Sequence, residues 1–123
     1  MYLMNKELKT MSNLKDIKCV PCRENSEPVS GEKLKEYLLQ LPNWNVFEED
    51  GIKRLKRSFK FKDFAGALQF TNKVGKIAEA EDHHPEILTE WGMVTVIWWT
   101  HKIKGLHMND FIMAAKTDDL LSN

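Results

Sequence analysis

The eight residues from Met93 to Thr100, MVTVIWWT, constrain the fold more than any other stretch of this chain. They are β-branched and aromatic almost throughout, and such side chains favour the pleated, half-buried surface of a strand. Successive side chains of a strand alternate between faces. Val94, Val96 and Trp98 therefore share one face, and Thr95, Ile97, Trp99 and His101 the other. Gly92 supplies a turn in front, and Ile87 to Trp91 reads as the partner strand. Two strands joined by so short a turn run antiparallel.

The rest of the chain fits round that hairpin. Leu34, Tyr37, Leu38 and Leu41 recur at helical spacing behind Ser30, a candidate N-cap, and Pro42 closes the helix. Trp44 to Glu48 reads as a strand, and Asp50-Gly51 is a strong hairpin signal. After it Leu55, Phe59 and Phe61 point one way, Arg54, Lys56 and Lys60 the other. Asp63 can cap a helix over about 64–81, whose stripe includes Phe64, Ala67, Phe70, Val74 and Ala78. Asn109 is expected to cap a last helix over about 110–121. The order α-β-β-α-β-β-α predicts an α+β fold: a four-stranded antiparallel sheet with helices packed on one face. The face carrying Ile97 and Trp99 then needs cover from a ligand, a partner chain or both.

At 123 residues and 42% apolar content the chain suits one domain with one core. Residues 30–123 are read as that domain and residues 1–29 as an irregular N-terminal extension, with Met11 a candidate second start and residues 1–10 a loose end. Lys plus Arg and Asp plus Glu are 18 each. Zero net charge argues against direct nucleic-acid binding and weakly favours a homo-oligomer. No run of about 18 apolar residues is available to span a membrane. The first residues, MYLMNKELKTM, lack the apolar core of a signal peptide, so a cytoplasmic location is expected. Cys19 and Cys22 form a lone CxxC with no second pair, read as two reduced thiols rather than a redox or zinc motif.

Chemistry concentrates at the open end of the Gly92 hairpin. His83 and His84 precede one strand and His101 follows the other, so antiparallel pairing brings them together. The helix over 64–81 ends in Glu79, Glu81 and Asp82, against the favourable sign for a helix C-terminus. Such breaks of a local rule concentrate at functional sites. Imidazoles with carboxylates nearby suit proton transfer near neutral pH. A zinc site is disfavoured: no HExxH or comparable ligand pair is present, and adjacent His83 and His84 point differently. His107 receives no role.

The spacing Glu79-x3-His83-His84-Pro85-x5-Trp91-x9-His101-x8-Asp110, with the stretch TEWGMVTVIWWTHKIKGLHMNDFIMAAKTD, resembles the pterin-4a-carbinolamine dehydratases, the bacterial members in particular. The likeness covers about residues 30–120. It implies dehydration of 4a-hydroxytetrahydropterin to quinonoid dihydropterin, within the recycling of the cofactor of aromatic amino acid hydroxylases. It implies no metal or cofactor, and a dimer or tetramer. It maps the catalytic histidines onto His83, His84 and His101, acidic pterin-binding residues onto Glu79 and Asp82, and a late aspartate onto Asp110, equally readable as a structural residue of the last helix. Animal members carry Trp two residues after the proline, where this chain has Ile87. Either that aromatic wall is missing or Trp91 or Trp99 replaces it. Animal relatives also act as dimerisation cofactors of a transcription factor, so a protein-binding role is the alternative.

Overall fold

The computed structural model describes residues 13–21 and 26–122. The loose end 1–10, the start at Met11 and the Cys22 thiol lie outside the described residues. The elements are α1 (Gly31–Leu39), β1 (Asn45–Glu49), β2 (Ile52–Lys60), α2 (Phe64–Glu81), β3 (Glu86–Glu90), β4 (Met93–Trp98) and α3 (Met108–Asp119), with 3-10 turns at Leu14–Asp16 and Leu120–Ser122. The strands form one antiparallel sheet in the order β1-β2-β4-β3. This is the α+β architecture and element order expected from the sequence.

Alternation on β4 decides which face is covered. Val94, Val96 and Trp98 are completely buried. Opposite them in register stand Phe59, Leu55 and Ile87, and α2 adds Ala67, Phe70, Val74 and Ala78 to the same core. From α3 come Phe111, Ile112, Met113 and Ala114, all at most 1% exposed. Each such side chain taken fully out of water contributes about 1.5–3 kcal/mol before entropy is counted. Ile87, the position of the departure, is half-buried against the core.

The turn residues behave as their chemistry requires. Asp50 and Gly51 both take positive φ, 54° and 76°, the pairing that a tight right-twisted hairpin needs. Asp63 accepts the Gly66 N–H at 2.8 Å and caps α2. Ser30 occupies the N-cap position of α1 in extended conformation but its side chain makes no capping bond.

The cap of α3 differs from expectation. His107, not Asn109, is the N-cap: its Nδ1 accepts the Asn109 N–H at 3.0 Å, and Asp110 Oδ2 accepts the His107 N–H at 2.9 Å. A capping Nδ1 must be unprotonated. Burial, the largest influence, pulls the His107 imidazole below its ordinary value of 6.5, and the His83 charge adds to this against the opposing pull of Asp110. The unfolded imidazole thus takes up a proton before the folded one. The cap's contribution is complete above pH 6.5 and is lost as pH falls through the lowered folded value. His107→Asn caps without titrating, so its unfolding free energy will fall less steeply between pH 8 and 5 than that of the wild type. Urea titrations at several pH values measure the two slopes.

The lead-in before α1 is not a bystander. Leu14 is 1% exposed and belongs to the core. Among the described residues no helix is long and apolar enough to cross a membrane.

Candidate active site

The register Glu86↔Ile97 runs the chain before β3 alongside the chain after β4. Two local structures then aim the side chains. At the end of α2, Asp82 adopts left-handed φ and ψ of 51° and 43°, while the Asp82 and His83 N–H groups bond back to the last turn. Aspartate tolerates this conformation better than most residues. It swings His83 and His84 off the helix. After β4, Thr100 bridges to Gly105 and the intervening turn presents His101. A cavity of about 440 Å³ opens between them, within the usual range of about 300–1,000 Å³ for small-molecule sites. His83, His84, His101, Asp82 and Trp99 all line it.

The histidines are held differently. His83 is stacked on the buried Trp98 ring, 5.8 Å between centroids and 7° from parallel. Its Nε2 lies 2.6 Å from Asp110 Oδ1. Asp110 is fully buried, and its Oδ2 also accepts the Thr100 hydroxyl at 2.7 Å and the His107 N–H. His84 Nε2 lies 2.6 Å from Glu79 Oε1, at the surface. An ionised carboxylate only accepts, so each pair places the imidazole proton on Nε2 and leaves Nδ1 as the basic atom. The His101 ring has no hydrogen bond among the described residues. It lies tilted against Trp99 at 4.6 Å, and the Arg54 guanidinium lies over the Trp99 ring at 4.1 Å.

The expected site residues therefore separate into three groups. His83, His84, His101, Asp82 and Trp99 meet at one cavity. Glu79 and Asp110 stand behind His84 and His83 as their carboxylate partners. Trp91 is not brought there. It is 74% exposed in the β3–β4 turn, and the strand between it and Pro85 spans about 20 Å at 3.3 Å per residue. Of the two candidates for the aromatic wall, Trp99 lines the cavity and Trp91 does not. Reading the sequence missed Thr100 and Lys102, which also line the cavity, and the contribution of Cys19, Val20 and Pro21. Among the described residues, no three His, Cys, Asp or Glu side chains are grouped to hold a metal ion.

The family model described as pterin 4 alpha carbinolamine dehydratase matches residues 27–120. The chain belongs to this family. As a member of the pterin 4 alpha carbinolamine dehydratases it is an enzyme of the hydro-lyase class. A Nitrosococcus oceani protein provisionally named pterin-4-alpha-carbinolamine dehydratase is 56% identical over 113 residues, 92% of this chain and 100% of that protein. One from Chlorobium limicola with the same provisional name is 54% identical over 89% of this chain and 97% of its own length. A crystal structure of a transcriptional coactivator/pterin dehydratase from Brucella melitensis superposes with a TM-score of 0.68 at 34% identity, covering 76% of this chain and 98% of that one.

Proposed function

We propose that the chain dehydrates 4a-hydroxytetrahydropterin to quinonoid dihydropterin by histidine acid–base catalysis, in support of tetrahydropterin recycling. The observation that carries this reading is the meeting of three imidazoles from two chain segments at one cavity, two of them tied to carboxylates. A carbinolamine bears hydroxyl and nitrogen on one carbon. An acid delivers one proton to the hydroxyl, the C–O bond breaks and water departs. The nitrogen lone pair forms the new C=N bond, and a base takes one proton from the ring system. No net proton and no electron is gained or lost, so two imidazoles in opposite protonation states suffice.

In this reading His84 and His101 flank the departing hydroxyl as the acid–base pair. Glu79 fixes the tautomer of His84. His83, the least exposed of the three, orients substrate or relays a proton under the control of Asp110. Asp82 faces the polar edge of the pterin, and Trp99 its flat face. The purified chain is expected to accelerate loss of water from freshly generated 4a-hydroxytetrahydropterin, followed by ultraviolet absorbance, at a rate unchanged by a chelator. No acceleration over buffer would sink the reading.

A second reading, a protein-binding assembly cofactor, is favoured by the likeness to the Brucella melitensis protein, which is named a transcriptional coactivator as well as a pterin dehydratase. A folded chain without dehydratase activity would turn attention to it.

A further inference from the structure

Residues 13–21 lie outside the stretch matched by the family model, yet they form part of the cavity wall. Ordering a segment with no sheet partner costs about 1–2 kcal/mol of backbone entropy per residue. Specific contacts offset that cost at both ends. At the first end Leu14 is sunk in the core, its N–H donates to Gln40 Oε1 at 3.0 Å, and Lys116 Nζ donates to the Lys15 carbonyl at 2.9 Å. At the second end the Cys19 N–H donates to Glu81 Oε1 at 2.8 Å. The Val20 N–H donates to Asn109 Oδ1 at 2.9 Å, and Asn109 Nδ2 donates to the Val20 carbonyl at 2.6 Å. The Asn109 amide, 2% exposed, thus satisfies both backbone groups of Val20 as a neighbouring strand would.

The two clamping residues belong to the segments that carry the site. Glu81 precedes His83 by two residues, and Asn109 adjoins Asp110. The clamp sets Cys19, Val20 and Pro21 on the wall facing the histidines. We propose that Cys19–Pro21 is a substrate-contacting wall of this cavity, with Asn109 and Glu81 as its positioning residues. The inference rests on the reading of the cavity as the dehydration site.

The chemistry of the wall states what it contributes. Val20 and Pro21 are apolar. Burial, then the Glu81 charge, pushes the Cys19 thiol up to about 12, so it stays neutral across the working range. None of these groups exchanges protons with substrate near neutral pH. The wall therefore binds an uncharged part of the pterin and excludes water, an interaction made equally in ground and transition states. Loss of such binding raises KM and leaves kcat nearly unchanged.

Full-length Asn109→Ala and Val20→Glu test this by steady-state kinetics on 4a-hydroxytetrahydropterin. Each is expected to raise KM about tenfold, with kcat within about threefold of wild type, and Asn109→Ala, which adds no charge, with an unchanged pH profile of kcat. Val20 is 54% exposed, so Val20→Glu does not depend on the core and remains informative if Asn109→Ala fails to fold. A wild-type KM in Val20→Glu overturns the proposal. So does a fall in kcat at unchanged KM in Asn109→Ala, which would assign that residue to support of Asp110. Absence of turnover by the wild-type chain overturns the underlying dehydratase reading instead.

Discussion

His101→Ala and, separately, His84→Ala will each lower turnover by about 10²–10⁴, the usual contribution of one positioned proton carrier. The expectation follows from the division of labour proposed for the cavity. His101 has no hydrogen bond to its ring among the described residues, and it lines the cavity. His84 is held by Glu79 through Nε2 and offers Nδ1. Both side chains are exposed, and neither belongs to the core. Surface replacements of that kind move stability by about 0.5 kcal/mol or less. Turnover should thus fall while thermal unfolding stays in place, which separates chemistry from misfolding. The surviving limb of the pH–rate profile then assigns roles, since loss of the base removes the acid limb and loss of the acid the alkaline one. Near-normal turnover in both variants would sink the acid–base assignment.

The elements that built the site were legible because their signals are local. Period-two alternation in β4, positive φ at Asp50-Gly51 and the apolar stripe of α2 each reflect a few neighbouring residues. The meeting of His84 and His101 needed only one more step, the antiparallel register across Gly92. That same register carries Trp91 to the opposite end of the hairpin, so its exclusion from the cavity was implicit in the pairing that gathered the histidines.

The acidic end of α2 was legible as a broken rule, and its meaning emerges from partners outside the helix. Glu81 binds the Cys19 backbone 62 residues away, while Glu79 binds His84. The lead-in and Asn109 were not legible. Residues 13–21 have no periodic pattern, and one buried leucine leaves no signature. Asn109 has the composition of an N-cap and stands where one is wanted. His107 takes that place because Asp110 can close the reciprocal bond, and the asparagine is left to bind the Val20 backbone.

In the proposed mechanism Asp110 joins stability and chemistry, and two substitutions separate them. Asp110→Ala removes from a fully buried position the acceptor for His83, Thr100 and the His107 N–H. Leaving a buried donor unsatisfied costs about 1–3 kcal/mol for each such group. Against a total stability of about 5–15 kcal/mol for a native protein, that is a large fraction. Melting is expected to fall by about 10–20 °C at this chain length, with activity lost alongside. Asp110→Asn has nearly the same shape. Its carbonyl oxygen still accepts from Thr100 and from the His107 N–H, so the α3 cap and most of the stability remain. Its amide nitrogen, however, donates where the carboxylate accepted. His83 must then receive at Nε2 and carry its proton on Nδ1, the reverse of the tautomer that Asp110 enforces. If His83 presents a basic Nδ1 to substrate or to a relay, Asp110→Asn melts within a few degrees of wild type and still loses turnover by orders of magnitude, as wrong-tautomer variants of aspartate-held histidines do. Calorimetry and saturated turnover on the same preparations read both quantities. Wild-type turnover in a well-folded Asp110→Asn variant would show that the Nδ1 atom of His83 takes no part in the reaction, and would reduce Asp110 to a structural keystone of α3.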